Sequence, residues 1–352
     1  MSSTAQSILI QYTRRVSYSI HPSRTSIPFN LPTSTRFYSA APTAPLPTVK
    51  AQRALLYVPG SNPKHLNKAL RGGLGGSRQS QPDVLILDLE DSVRIEKKAE
   101  ARQIVFEALQ RPSDSTSQKF VRINSRRPGL DDLEVLLKTP NLRGLVLPKV
   151  DSAKDVLLVN EFIDRYGLAE TKDRIRIIAS IESPMALLNL REIVTSSPRI
   201  SSLLFAAEDY CSSSNLIRTP SRREMLFARS SVVTVAKAYG LKAVDLVCVQ
   251  YKGEKAEQAL MEESREGREL GFDGKQAIHP AQVEPIQAAF TPSESEIERA
   301  LTILSHYESL SSSGAGAYGL ANTDGSISMI DAPMLLQAQG ILVQARAAGV
   351  DV

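Results

Sequence analysis

The residues with the most chemical potential in this chain are carboxylates that each stand just beyond a short apolar run: Asp88 and Glu90, Glu182, and Asp209. One carboxylate after a strand usually caps a helix or closes a loop ion pair. Several aimed at one mouth repel each other unless a cation sits among them. Oxygen donors without a His or Cys cluster favour a hard ion, magnesium first. Magnesium is usually held by one or two carboxylates and keeps positions open for water and substrate. Glu182 and Asp209 are therefore read as direct Mg2+ ligands. Asp88 and Glu90 are read as binding through water or orienting Arg122. Arg122 also ends an apolar run, where a planar fork donor suits a substrate carboxylate or a developing oxyanion. An ion pair to Asp88 or Glu90 is its plainer reading.

These residues need elements to position them. From residue 53, short runs rich in Val, Ile and Leu alternate with longer amphipathic stretches. The runs are Ala54–Val58, Val84–Asp88, Lys119–Ile123, Gly144–Leu147, Ile175–Ile181, Ser202–Ala206, Ala243–Val249 and Lys275–Ile278. Near-continuous apolar strands indicate a parallel sheet buried on both faces. The segments Glu96–Leu109, Asp151–Tyr166, Met185–Val194 and Arg222–Tyr239 fit helices. Eightfold alternation predicts an α/β fold, a (β/α)8 TIM barrel with a C-terminal helical tail. A doubly wound open sheet is the alternative, disfavoured because no G-x-G-x-x-G follows the first run. In such barrels the active site lies at the C-terminal strand ends. Those ends carry Tyr57, Asp88, Glu90, Arg122, Asn124, Pro148-Lys149, Glu182, Glu208-Asp209 and His279. Asp245 falls early in the seventh run and is placed there less firmly.

Three regions follow: 1–50 as a leader, 51–292 as the barrel, and 293–352 as a tail. In the tail, Glu294–Tyr307 reads as a helix and Ser311–Ser328, rich in Gly and Ser, as a mobile segment or lid. A last helix runs to about Ala347. The Gly72–Gly76 stretch reads as a loop.

The first fifty residues hold five basic residues and no acidic one. Setting those five aside takes the net charge of the 352-residue chain from +4 to −1. The basic balance thus belongs to the leader, which argues against a nucleic-acid footprint. An acid-free, Arg- and Ser-rich N-terminus predicts a mitochondrial presequence and a matrix location. No apolar run is long enough to span a bilayer. Cys211 and Cys248 form neither a disulfide framework nor a zinc spacing. Asn62-Pro63 starts a helix. Lys64 and Lys68 then share one face, either a phosphate-attracting end or a solvated basic surface.

Six stretches together resemble the citrate lyase β-subunit (HpcH/HpaI-type) family. They are Tyr57-Val58-Pro59-Gly60, Asp88-Leu89-Glu90-Asp91, Val121-Arg122-Ile123-Asn124, Leu147-Pro148-Lys149-Val150, Ile181-Glu182-Ser183 and Ala207-Glu208-Asp209. Gly271–Pro280 and Ser328–Pro333 extend the likeness, which covers roughly residues 53–345. The resemblance implies a magnesium-dependent carbon–carbon lyase acting on an acyl-CoA thioester such as citramalyl-CoA or malyl-CoA. It implies Glu182 and Asp209 as metal ligands and Arg122 as a substrate-binding arginine. Tyr57, Lys64 and Lys68 become acyl-CoA contacts, Ile278 and His279 a substrate-contact position, and Asp331 the catalytic acid/base. It further implies a homotrimer whose tail reaches a neighbouring active site. Asp331 is then expected in an apolar pocket to which Met329, Ile330 and Met334 contribute. The Arg71–Gln81 loop and the Gly314–Ser326 stretch are longer than this resemblance leads one to expect. A thioesterase, a malate-synthase-like condensing enzyme and a catalytically silent CoA-ester-binding protein are the rival functions.

Overall fold

Eight short strands pair in parallel, each with the next, and the first pairs with the last. They are β1 (Ala54–Pro59), β2 (Val84–Asp88), β3 (Gln118–Arg122), β4 (Gly144–Leu147), β5 (Arg176–Ile181), β6 (Ile200–Phe205), β7 (Lys242–Asp245) and β8 (Gly274–Ala277). Leu55 stands opposite Val84 on one side and Gln276 on the other, closing the barrel. The computed structural model describes residues 51–73, 81–310, 318–321 and 325–352. The expected leader, the Gly-rich run from Leu74, and residues 311–317 and 322–324 of the expected lid lie outside the described residues.

The helices of the outer layer are α1 (Pro63–Leu70), α2 (Lys98–Gln110), α3 (Arg126–Leu136), α4 (Ala153–Tyr166), α5 (Pro184–Leu188), α6 (Leu190–Thr195), α7 (Ala207–Ser213), α8 (Leu226–Ala238), α9 (Glu254–Glu269) and α10 (Val283–Ala289). The stretch expected as one helix over Met185–Val194 is two, because the chain leaves helical geometry at Asn189 (φ −98°, ψ 10°). The Asn189 side chain there donates to the Asp151 carbonyl at 2.8 Å.

Side chains along a strand alternate between faces, and that alternation builds the site. Leu55, Val84, Ile86, Phe120, Val146, Ile178, Leu204 and Val244 form one closed cluster inside the barrel. Their neighbours in sequence, such as Leu56, Leu85, Val121, Leu145, Ile177 and Leu203, pack outward against the helices. Stepping by twos along the inner face leads from Leu55 to Tyr57, from Ile86 to Asp88, from Phe120 to Arg122 and from Ile178 to Glu182. The same period that fills the core with Val, Ile and Leu thus ends in a polar layer at the C-terminal rim.

The outward parity holds a surprise at β7 and β8. Asp245 and Lys275 point outward, yet both are fully buried. Arg229 of α8 pairs with Asp245 at 2.8 Å and with Glu266 of α9 at 2.7 Å. Lys275 pairs with Glu263 at 3.0 Å. Asp245, loosely expected at the mouth, therefore belongs to the barrel–helix interface. The reason is parity: it lies one residue past the inward-facing Val244.

The tail comprises α11 (Glu294–Leu310), β9 (Tyr318–Ala321), β10 (Ile327–Ile330) and α12 (Ala332–Ala347). Part of the segment expected as a mobile stretch is an antiparallel hairpin, with Ser328 opposite Leu320 and Ile330 opposite Tyr318. Leu320 and Ile330 are buried with Ile297, Ala300, Ile303, Ala338 and Leu342 in a core separate from the barrel's. Two apolar residues at the right parity outweigh a Gly- and Ser-rich composition. Arg268 of α9 ties the start of α11 to the barrel through Glu296 at 2.8 Å.

Candidate active site

The rim of the barrel is organised around Arg122. Its Nε and Nη2 donate to the two oxygens of Asp88, each at 2.7 Å. Its Nη1 lies 3.1 Å from Glu90 and 2.9 Å from Asp91. Its planar face lies over the Tyr57 ring, 4.8 Å from the centroid. Burial opposes charge on Asp88, but the Arg122 fork, with Ser92 and the Glu90 N–H, outweighs it and holds the carboxyl below its usual range. Burial likewise works against the guanidinium, and the Asp88 hydrogen bonds overcome it. The plainer reading of Arg122, an ion pair to Asp88 and Glu90, is thus realised. Bidentate pairing of this kind fixes orientation as well as charge.

Tight backbone packing holds this cluster in place. The Gly60 N–H donates to the Asp88 carbonyl at 2.8 Å. A Cβ at Gly60 would come within 2.6 Å of that carbonyl oxygen, so no larger residue fits without displacing the end of β2. Lys98 of α2 donates to the Leu89 and Glu90 carbonyls at 2.8 Å each. The Tyr57 hydroxyl donates to Gln276 Oε1 at 3.0 Å, and Gln276 in turn donates to the Phe205 and Asp245 carbonyls. Burial drives the Tyr57 phenol above its ordinary range. Gln276, unmarked in the sequence, is the inward residue of β8.

Glu182 and Asp209 line one cavity of about 440 Å3 with Asn124, Lys149, Asp151 and Ser183. Glu182 ends β5 on the inward parity and is 6% exposed. Asp209 follows β6 in the first turn of α7. Burial, together with the negative charges of Asp209 and Glu90, pushes the Glu182 carboxyl up to about 7, against hydrogen bonds from Ser180 and the Lys149 N–H. A buried carboxylate with further carboxylates close by is a donor whose charge a hard cation relieves. Among the described residues no three His, Cys, Asp or Glu side chains form a ready-made metal cage. Two carboxylates with open positions nevertheless fit magnesium, which keeps water and substrate ligands.

Glu208, beside Asp209, turns away to Arg218, which also binds the Val247 carbonyl and Glu263 at 3.0 Å each. Lys149 pairs with Glu90 at 2.9 Å. Asp151 accepts a hydrogen bond from Ser183. Sequence reasoning placed Lys149 at the mouth without a role, quoted Ser183 within a family-like stretch without a role, and passed over Asp151 as a site residue. Their position just after β4 and β5 was the available signal.

The other expected residues are spread around the rim and beyond it. Asn62 caps α1 by accepting the His65 N–H at 3.1 Å, with Pro63 following, and Lys64 and Lys68 stand exposed on that helix. Ile278 is 45% exposed just past β8. His279 accepts the Ala281 N–H and stacks on Tyr251 at 5.4 Å. Asp331 is outside the cavity wall; it caps α12 by accepting the Met334 N–H at 3.2 Å. Ile330 is buried in the tail core, while Met329 is 65% exposed. Among the described residues, the apolar pocket expected around Asp331 is therefore not closed. Both cysteines are buried, which raises their thiols above the ordinary range. A larger groove of about 1300 Å3, at the opposite end beside Arg53, Arg268 and Thr291, holds none of these residues. No described helix is long and apolar enough to cross a membrane.

The chain is similar to known proteins in sequence and in fold. The HpcH/HpaI aldolase/citrate lyase profile matches residues 53–280. Mitochondrial citramalyl-CoA lyase of Mus musculus is 33% identical over 309 residues, 84% of this chain and 86% of the relative. The citrate lyase subunit beta of Haemophilus influenzae is 32% identical over 302 residues, 85% of this chain and 98% of the relative. Among solved structures, CitE from Mycobacterium tuberculosis in complex with magnesium, acetoacetate and coenzyme A superposes with a TM-score of 0.64. That chain is 27% identical, with 85% of this chain and 98% of the other covered. With the closed barrel, the carboxylate rim and relatives named as lyases, the chain belongs to the HpcH/HpaI aldolase/citrate lyase family, a family of carbon–carbon bond-cleaving enzymes.

Proposed function

We propose that this chain is a magnesium-dependent lyase that cleaves citramalyl-CoA, or malyl-CoA, into acetyl-CoA and pyruvate, or glyoxylate. The observation that carries the reading is the pairing of Glu182 and Asp209 in one cavity at the barrel mouth. Similarity to citramalyl-CoA lyases and to a CitE complexed with magnesium and coenzyme A supports it.

Magnesium held by Glu182 and Asp209 would supply Lewis-acid polarisation of the hydroxy-acid oxygens. Arg122, fixed by Asp88 and Glu90, offsets negative charge at the rim. Lys64 and Lys68 of α1, with Tyr57 of β1 and with Ile278 and His279 just past the neighbouring β8, meet the CoA ester. As the C–C bond breaks, the hydroxyl gives up its proton to solvent and its oxygen forms the keto carbonyl. The electron pair of the broken bond passes to the carbon beside the thioester, and a protonated Asp331 donates its proton to that carbon. The place of Asp331 outside its own chain's cavity supports the homotrimer that the family resemblance implies, in which each tail serves a neighbouring barrel. The exposed Ile327 and Met329 of the hairpin offer the apolar surface for such docking. The acid-free leader and the mitochondrial relatives support a matrix location.

The test is to incubate the purified chain with each thioester and identify the products. Acetyl-CoA plus a keto acid is the expected result. Free CoA plus an intact hydroxy acid would mean a thioesterase, and no turnover a silent binder.

A further inference from the structure

Lys149 holds a backbone conformation that a lysine does not adopt without cause. Its φ is +51°, in the left-handed region, immediately after Pro148 at the end of β4. Strain of this kind persists only where the surroundings impose it, and it gathers at functional sites. Here the turn does two things at once. It aims the Lys149 N–H at the Glu182 carboxylate and sends the ammonium to Glu90, 2.9 Å away.

The two rim cations differ in how firmly they are held. Arg122 is 16% exposed and faces Asp88, Glu90 and Asp91. Lys149 is 48% exposed and has Glu90 as its ion-pair partner. Glu90 would keep Arg122 at 3.1 Å if Lys149 let go. Because Lys149 is half-exposed and Arg122 stays on Glu90, this half-buried pair opens at less cost than the Arg122–Asp88 pair. The cavity wall that Lys149 shares with Glu182 and Asp209 also carries Asp151 and Asp155, so a carboxylate entering it meets four acidic side chains. Arg126 is the other cation of that wall, exposed at the start of α3.

We propose that Lys149 is the specificity-determining cation of the site, leaving Glu90 to pair with the carboxylate of a bound 2-keto or 2-hydroxy acid. The proposal rests on the lyase reading and adds to it the group that selects an acid over a neutral carbonyl compound. Arg122 then serves as the fixed hub that keeps Glu90 paired when Lys149 moves.

The test is calorimetric titration of the magnesium-loaded protein with pyruvate and with its neutral analogue, methyl pyruvate. Asparagine tolerates the left-handed backbone, so Lys149→Asn removes the charge and keeps the N–H. It should weaken pyruvate about tenfold or more, the loss of one charge-assisted hydrogen bond, with little change for methyl pyruvate. Lys149→Arg should recover most of the preference, and Lys149→Gln repeats the charge removal should the Asn variant not fold. Pyruvate affinity unchanged in both neutral variants overturns the proposal. So does a preference lost in Arg126→Gln but kept in Lys149→Asn. Wild-type protein that binds neither pyruvate nor glyoxylate would instead overturn the lyase reading, and this inference with it.

Discussion

Replacing Arg122 with methionine should destabilise the protein mainly through the carboxylates it leaves behind. Asp88 is 1% and Glu90 7% exposed at the side chain, against 16% for Arg122. Removing one partner of a buried pair typically costs about 3–5 kcal/mol. Loss of the stack on Tyr57 adds about 0.5–1 kcal/mol. A deficit of about 4 kcal/mol is therefore expected at neutral pH. Its pH dependence identifies the cause. In the wild type, Arg122 holds Asp88 below its usual range, and that stability is present above the unfolded pKa of about 3.9 and lost as pH falls through the folded value. In the variant burial is opposed only by the Ser92 and Glu90 N–H hydrogen bonds, so the Asp88 pKa rises above its wild-type position and protonation relieves the penalty as pH falls. Urea denaturation of both proteins at several values between pH 7.5 and pH 4 should show the gap narrowing toward acid. A deficit below about 1 kcal/mol, or one independent of pH, would mean that packing and not charge holds the rim.

Three other outcomes are expected. Arg229→Met leaves Asp245 buried without its cation and should cost about 3–5 kcal/mol in urea unfolding; the double variant with Asp245→Asn should regain part of that loss. Asp331→Asn should largely abolish turnover while calorimetry still shows thioester binding, and wild-type-like turnover would remove Asp331 from the chemistry. Glu182→Gln should weaken magnesium binding, read directly by titration calorimetry, by at least about tenfold, the value of one lost charged ligand.

The barrel and its rim were legible because one rule governs both. Parallel strands buried on two faces read as apolar runs, and the period of two carries Ile86 to Asp88, Phe120 to Arg122 and Ile178 to Glu182. The rule fails where a strand interior breaks the apolar pattern. Asp245 and Lys275 are as buried as any leucine, but only the structure supplies Arg229 and Glu263 as their partners. Lys149 shows a second limit. Nothing in a lysine's side chain favours a left-handed backbone, so its turn toward Glu182 and Glu90 is set by tertiary context. The hairpin of β9 and β10 was hidden by composition, since Gly and Ser speak for loops while two residues, Leu320 and Ile330, decide the fold. Asp331 is a third case: its motif was visible, but among the described residues it is half-exposed at the start of α12 and no apolar pocket closes around it.

The account depends most on the pairing of Glu182 and Asp209 as a metal site for C–C cleavage of a CoA ester. Its most direct test follows citramalyl-CoA by mass spectrometry in the presence of the purified protein, first dialysed against EDTA and then resupplied with magnesium. The account predicts no conversion in EDTA and, with magnesium, acetyl-CoA and pyruvate in equal amounts. Conversion that survives metal removal, or free CoA with intact citramalate, would contradict it.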